Sequence, residues 1–420
     1  MFPNPIDTLP LPRHPNLEQY RKLAKELVKA CKSADPSAIR DWTKALGHYP
    51  KEIEDFARRV LTREERKCAL TGAQFVLARI HGFESWPRFA KHVELLSGKG
   101  STFETAAQAV VDGDIATLER LLRTEPALAR ARSAREHRAT LLHYVGANGL
   151  ENYRQRTPSN AVAIAEALLK AGSEVDAEAN MSGGGATPIG MVATSSHPWK
   201  AGVQNPLIDL LVAYGARLRG ERGAGNNHTL INGCLANGRR EASEHLARIG
   251  ATLDLEGAAG VGRLDIVRSY FNEDGTLKAN ATRKQMADGF SWACEYGRTD
   301  VVNYLLANGM DVNAPLRPHD QTGLHWAAFC GHVESLEALL HKGASVAQRD
   351  ATFRSAPLGW ALHAWAEEPV APPDRYYRVA ALLVAAGAVV EPPQWFERPK
   401  LRADPRMRAA LTGQASADTK

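Results

Sequence analysis

The fold is decided by the stretch GLHWAAFCGHVESLEALLHKGASV, residues 323–346. It superposes without a gap on GFSWACEYGRTDVVNYLLANGMDV, residues 289–312, at an offset of 34 residues. Trp292 then falls on Trp326, and Gly297 falls on Gly331. Self-similarity at a period of roughly 33 residues marks a repeat protein, in which each unit buries its apolar face against the next.

A glycine follows each leucine-rich segment at similar spacing. These segments, such as IAEALLKAG and SLEALLHKG, carry apolar residues at the spacing of an amphipathic helix. Glycine tolerates the left-handed conformation that ends many helices, so each glycine predicts a helix end. The series is Gly172, Gly215, Gly250, Gly275, Gly309, Gly343 and Gly387. An alanine-rich segment precedes most leucine-rich ones, which predicts one helix–turn–helix unit per repeat.

The repeat resembles the ankyrin repeat. The ankyrin signature T-P-L-H-x-A-A-x-x-G-H stands at Thr322 as TGLHWAAFCGH. Related versions begin at Ala139 as ATLLHYVG, at Ala186 as ATPIGMVA and at Ser355 as SAPLGWAL. With weaker units included, we predict about eight degenerate repeats. The resemblance implies an all-α fold built as an ankyrin-repeat solenoid.

The chain is expected to have three parts. Residues 1–100 are predicted to form a small helical N-terminal cap domain, which resembles the helical segment ahead of the ankyrin repeats in a group of bacterial proteins. Residues 101–395 are predicted to hold the repeats, with three inserted loops. Residues 396–420 are predicted to be a capping helix and a disordered tail.

Composition narrows the class of protein. The chain has 52 Lys and Arg against 47 Asp and Glu, a net charge of +5, which is ordinary for a globular protein. Its five cysteines are far apart and form no C-x-x-C pair, so we expect neither a disulfide framework nor a zinc site. Neither a signal-peptide pattern nor a run of about eighteen apolar residues occurs. We therefore expect a cytoplasmic protein with no membrane segment, no cofactor and no metal.

The ankyrin resemblance implies a non-catalytic protein-interaction scaffold. Ankyrin proteins typically meet a partner through inner-helix positions just before a glycine and through loop tips. Carried over position by position, the inner-helix candidates are Asn237, Glu295, Tyr296, Phe329, Cys330 and His363. The loop-tip candidates are His228, His319, Gln321, Phe353 and Arg354. The sequence does not identify the protein partner. We expect the chain to be a monomer.

Three tryptophans occupy one repeat position at a spacing of 34 residues, Trp292, Trp326 and Trp360. Residues at one repeat position stack along a solenoid, so these side chains should form a ladder. We favour a packing role for the ladder. The alternative is an aromatic platform for a sugar, a base or a methylammonium group.

The insert regions around 143–154 and 194–206 suggest an alternative function as an enzyme or a receptor for a small polar ligand. Adjacent repeats would bring both inserts together. Glu151 and His197 are the candidate acid–base residues of such a site. Its candidate pocket residues are His143, Tyr153, Arg154 and Trp199. For His143 and His325 we favour loop-bracing hydrogen bonds, because the ankyrin resemblance implies that role.

A second alternative is a DNA-associated regulator acting through residues 60–97. Two helices joined at a glycine can form a helix-turn-helix, and residues 1–100 hold 18 Lys and Arg against 12 Asp and Glu. The second helix offers only Arg88, Lys91 and His92 as polar groups that could contact DNA. We therefore do not favour a nucleic-acid partner.

Overall fold

The computed structural model describes residues 2–12, 15–47, 49–97, 101–181, 183–218 and 229–414. Within them, secondary structure is helical apart from isolated β-bridges, which confirms the all-α prediction. The chain divides into two compact units, Met1–Ala242 and Ser243–Lys420. None of the described helices is both long enough and apolar enough to cross a membrane.

Five helices open the first unit and enclose two small apolar cores. They are α1 Leu17–Lys32, α2 Ala38–Lys44, α3 Pro50–Leu61, α4 Leu70–Ile80 and α5 Trp86–Ser97. One core centres on Leu27, Ile53 and Leu77, and the other is aromatic around Phe83 and Phe89. The amphipathic helices predicted for this segment are therefore present.

Cys31 and Cys68 form a disulfide, with their Cα atoms 5.5 Å apart. The bond joins the end of α1 to the residues just before α4. The expectation of no disulfide is wrong at this point, because the helical fold brings together two cysteines that are 37 residues apart. Cys234, Cys294 and Cys330 are free thiols.

Paired helices fill the rest of the first unit. They are α6 Thr102–Asp112 with α7 Ile115–Thr124, α8 Leu141–Gly146 with α9 Ala161–Lys170, and α10 Pro188–Thr194 with α12 Gln204–Ala213. The insert between α8 and α9 holds the 3₁₀ turn Asn152–Arg154, and the next insert holds α11 Ser196–Lys200. α13 Leu230–Ala236 is followed by α14 Arg240–Arg248, at the boundary of the two units.

The second unit continues the same pairing. Its helices are α15 Leu255–Val261, α16 Leu264–Ser269, α17 Arg283–Glu295, α18 Thr299–Ala307, α19 Gly323–Phe329, α20 Val333–His341, α21 Pro357–Ala366, α22 Pro373–Ala385, α23 Pro399–Ala403 and α24 Pro405–Leu411. One apolar core runs from Leu255 to Leu411. The first helix of each pair lies next to the first helix of the following pair, as in α17 beside α19 and α19 beside α21.

The predicted glycines have left-handed backbone angles, from φ +82° at Gly275 to +96° at Gly250. Six of the seven end a helix as predicted. Gly275 differs, because it lies in the turn that precedes the β-bridge partner Leu277 rather than directly after α16. The third inserted loop, predicted from the sequence at residues 363–374, is also shorter than expected, since α21 continues through Ala366.

Candidate functional site

Two signature histidines brace the loops of their repeats. His143 Nδ1 accepts a hydrogen bond from the Thr140 backbone N–H at 3.1 Å, and its Nε2 lies 3.1 Å from the Ala186 carbonyl oxygen in the next repeat. His325 repeats this arrangement with Thr322 and the following loop. Burial lowers the pKa of His143 to about 4. The loop-bracing role is confirmed, and the imidazole of His143 has no exposed surface for a ligand.

Five titratable side chains meet inside the first unit. We call Glu104, Arg135, His137, Glu151 and Arg154 the charged cluster. Glu151 Oε1 lies 2.5 Å from Arg135 Nε and 3.4 Å from His137 Nε2. Glu104 Oε2 lies 2.7 Å from Arg154 Nη1. The side chain of Glu151 is completely buried, so these ion pairs are screened little by solvent.

The charged cluster links the N-terminal helices to the first repeats. His92 of α5 places Nε2 3.8 Å from Glu104 Oε1. Arg135 donates from Nη1 to the His81 carbonyl oxygen at 2.9 Å. The backbone N–H of the neighbouring Glu136 donates to the Gly82 carbonyl oxygen at 2.8 Å. The cluster is therefore part of the joint between the cap helices and the repeats.

Burial and ion pairing have opposite effects on the pKa of Glu151 in the charged cluster. Burial raises the pKa of Glu151, but the charges of His137 and Arg135 outweigh burial and hold that pKa well below its usual range. Burial alone dominates at His92 and lowers its pKa to about 4. Glu151 is thus a permanent carboxylate near neutral pH, which suits an ion pair and not a general acid.

The structure describes no contact between the candidate acid–base residues Glu151 and His197. The first insert turns Glu151 and Arg154 into the charged cluster, where the hydroxyl of Tyr153 accepts a hydrogen bond from Arg135 at 3.0 Å. The second insert leaves Trp199 44% exposed, with its ring 4.4 Å from the Arg239 guanidinium carbon. His197 is half-buried, and it is not among the hydrogen-bond or ion-pair partners that the structure describes for Glu151.

The candidate DNA-contacting groups on α5 are only partly available. His92 is 3% exposed. Arg88 pairs with Glu84 at 2.5 Å, whereas Lys91 is exposed. One of the three groups is therefore committed to the interior and one to a surface ion pair.

Aromatic side chains gather on the inner helices of the second unit. We call Trp292, Tyr296, Trp326, Phe329 and Trp360 the aromatic face. Trp360 packs edge-on against Trp326 and Phe329, with ring centroids 5.5 and 5.6 Å apart. Trp292 and Trp360 are buried, whereas Trp326 and Phe329 are only half-buried. The ladder therefore packs at its two ends and presents aromatic surface at its middle rung.

A guanidinium lies on one end of this face. Arg317 places its guanidinium carbon 4.3 Å from the centre of the Trp292 ring. Its Nη2 lies 2.6 Å from Glu256 Oε1, and its Nε lies 3.0 Å from Asp288 Oδ1. We call this arrangement the Arg317 cradle. It combines a cation–π contact with two charge-assisted contacts.

Glu295 lies beside the Arg317 cradle at the last position of α17. Burial raises the pKa of Glu295 to about 7, although the charge of Arg317 acts in the opposite direction. The described contacts of Glu295 include a hydrogen bond to its backbone carbonyl oxygen from His332 at 2.8 Å but none to its carboxylate. Glu295 also contributes, after burial, to the raised pKa of the Cys330 thiol. A carboxylate with no ion pair among the described residues thus lies at the end of α17, beside the aromatic residue Tyr296.

The remaining partner candidates differ in exposure. His319, Arg354, His363 and Asn237 are exposed as expected. Phe353 is 70% exposed and packs its ring edge-on against Trp360 at 6.0 Å. Gln321 differs from expectation, because it is 1% exposed and accepts a hydrogen bond from the His319 backbone N–H. His228 lies outside the described residues.

Several residues of the charged cluster and of the Arg317 cradle were not predicted from the sequence. They are Glu104, Arg135, His137, Glu256, Asp288 and Arg317. Arg135 and Arg317 each precede a repeat signature in its loop, and neither has an arginine at the matching position of the next repeat. An arginine that occurs in the loop of one repeat and not in the next could therefore have indicated these contacts from the sequence.

Comparison with known proteins identifies the repeat type. Residues 255–350 match the family model described as ankyrin repeats in three copies. Palmitoyltransferase AKR1 from Lachancea kluyveri is 36% identical over 75 residues, which are 18% of this chain and 10% of that protein. E3 ubiquitin-protein ligase hecd-1 from Caenorhabditis elegans is 31% identical over 130 residues, which are 31% of this chain and 4% of that protein. The matched segments thus span a tenth or less of these relatives.

A solved structure, the human ASB11 ankyrin repeat domain, is 21% identical. The alignment covers 65% of this chain and 96% of that chain, with a TM-score of 0.34. The helix pairs of the second unit agree with the family match at residues 255–350. The chain therefore contains ankyrin repeats.

Proposed function

We propose that this protein is a non-catalytic interaction scaffold that binds a protein partner through the aromatic face and neighbouring loop tips of its second unit. Ankyrin repeats generally serve protein–protein interaction, and rigid stacked helices present side chains without rearranging the core. The residues that contact the partner are Phe329 and Glu295 on the inner helices and His319, Phe353 and Arg354 at the exposed loop tips.

The observation that carries this proposal is the exposed aromatic surface at the middle rung Trp326 and beside the last rung Trp360. Phe353 is 70% exposed directly against Trp360. Trp326 and Phe329 are half-buried beside it. Large aromatic side chains that remain partly exposed next to polar groups are typical of binding surfaces, because a partner can bury them and gain free energy.

Affinity capture with single variants tests the proposal. Phe353→Ser and Phe329→Ser should each reduce capture of the partner from a cell lysate, because each removes apolar area from the contact. Val389→Ser is the matched control, because Val389 is also 70% exposed but lies outside the inner helices. Circular dichroism melts would verify that the variants are folded. Equal capture by all three variants would contradict the proposed surface.

The location and oligomeric state stay predictions. We expected a cytoplasmic monomer from the sequence. The Cys31–Cys68 disulfide weighs against a reducing compartment, because such bonds persist mainly in oxidising ones.

A further inference from the structure

The Arg317 cradle indicates which chemistry this surface accepts. Its guanidinium is held between the Trp292 ring and the carboxylates of Glu256 and Asp288. The side chain of Arg317 is 31% exposed, so the guanidinium is held near the surface rather than in the core. The chain itself therefore provides one example of a cation bound by an indole ring and carboxylates on the aromatic face.

One repeat later the cation is missing. Arg317 precedes Trp326 by nine residues, and Ala351 precedes Trp360 by the same nine. Arg317 lies over the tryptophan of the preceding repeat, Trp292. By the same register, the residue matched to the Trp326 ring is Ala351, which has no charged group. The middle rung of the ladder thus lacks the guanidinium that covers the first.

The indole N–H groups of the ladder also differ at the middle rung, Trp326. Trp292 Nε1–H donates to Glu256 at 2.9 Å, and Trp360 Nε1–H donates to Asp350 at 3.1 Å. Trp326 Nε1 is buried and has no hydrogen-bond acceptor among the residues that the structure describes. A buried donor without an acceptor is costly, so the Trp326 ring is held less firmly by hydrogen bonds than the other two rungs.

Charge at this surface favours a cationic occupant. Glu256, Asp288 and Glu295 supply three carboxylates, whereas Arg317 and the Asp288 partner Lys284 supply two cations, so these five groups carry a net charge of −1 when Glu295 is ionised. Asp288 has no carboxylate counterpart one repeat later, since Thr322 holds that position. Glu295 matches Phe329 at the offset of 34 residues, and its helix α17 lies beside α19, the helix of Trp326 and Phe329.

We propose that Trp326, Phe329 and Glu295 form a binding site for the side chain of an arginine or lysine in an extended partner segment. The aromatic rings contact the cation, and Glu295 pairs with it. This assignment names the chemistry of the partner and rests on the proposed function of the aromatic face.

Nuclear magnetic resonance of the indole N–H groups of the full chain tests this assignment. The probes are capped pentapeptides, Gly-Ala-X-Ala-Gly, with Arg, Lys, Gln or Glu at the centre. Trp326→Phe assigns the Trp326 resonance. We expect the Arg and Lys peptides to shift that resonance in a saturable manner, and the Gln and Glu peptides to leave it unchanged.

Variants then test the carboxylate. Glu295→Gln should weaken binding of the Arg peptide about tenfold, the scale of one charged contact on a partly desolvated surface. Glu273→Gln, at an exposed loop glutamate, should leave the affinity unchanged. Binding should also strengthen between pH 6 and pH 8, since burial raises the pKa of Glu295 to about 7 and raises the pKa of the Cys330 thiol beyond this range.

Three results would overturn the assignment: no shift with the Arg peptide, an equal shift with the Gln peptide, or unchanged affinity in Glu295→Gln. If partner capture still depends on Phe329 and Phe353 in that case, the proposed function stands and only the cationic specificity fails. Loss of that dependence would instead remove the proposed function itself.

Discussion

Glu295 combines three properties that are rarely found together on a purely structural residue. Its carboxylate is largely removed from water, it has no described ion-pair partner, and its pKa is raised to about 7. The groups facing it are the Arg317 guanidinium, the Cys330 thiol and the ring of His332. A carboxylate that is costly to keep charged gains most from a cation supplied by a partner.

The raised pKa makes a stability prediction for the free protein. The folded state binds the Glu295 proton more tightly than the unfolded state does, so this group favours folding at low pH and that contribution is lost as pH rises through about 7. Glu295→Gln cannot ionise. We expect the variant to melt at a higher temperature than the natural protein at pH 8, with the difference shrinking toward pH 5. A difference independent of pH would contradict the assigned burial.

Glu151 should behave in the opposite manner. Its pKa is held well below its usual range, so its ion pairs stabilise the fold above the ordinary glutamate pKa and the contribution is lost as pH falls. Glu151→Gln leaves Arg135 and Arg154 underpaired in the interior, which costs about 3–5 kcal/mol for a broken buried pair.

Urea unfolding at pH 7 measures that cost. Glu119→Gln is the control, because Glu119 forms an exposed pair with Arg123 and should change stability by less than about 1 kcal/mol. An equally small change in Glu151→Gln would mean that the charged cluster does not stabilise the joint between the cap helices and the repeats.

At the scale of helices, the sequence predicted the helix pairs, which recur in every repeat. It missed the side-chain contacts that occur in one repeat only. Leucine spacing and the glycine series predict the helix pairs, because each repeat must bury the same face against its neighbour. The contacts of Arg135 and Arg317 involve residues from other elements, up to 61 residues apart for Arg317 and Glu256. The repeat spacing alone cannot predict such contacts, since they are made by loop side chains that have no counterpart in the neighbouring repeat.

The disulfide between α1 and α4 was also missed, and its contribution can be measured. Cys31 and Cys68 are 37 residues apart, and restricting a loop of that length in the unfolded chain stabilises the fold by roughly 4 kcal/mol. We expect Cys31→Ser with Cys68→Ser to lower the free energy of unfolding by that amount. Reductant should bring the natural protein to the same value, and an unchanged midpoint in reductant would contradict the bond.

At the scale of the whole chain, the two units place their charged groups differently. The first unit encloses Glu151 and Arg135 and leaves them almost no contact with solvent. The second unit holds Arg317, Glu256 and Glu295 beside half-buried aromatic rings. We therefore assign the first unit's cluster to stability and the second unit's face to recognition.

Site-specific photocrosslinking tests this division most directly. Benzoylphenylalanine would replace Phe329 on the aromatic face or Val389 outside the inner helices, and the full chain would be irradiated with its captured partner. We predict a crosslinked product at position 329 that is suppressed by excess arginine-centred peptide, and none at position 389. Crosslinking at 389 alone, or equal yields at the two positions, would contradict it.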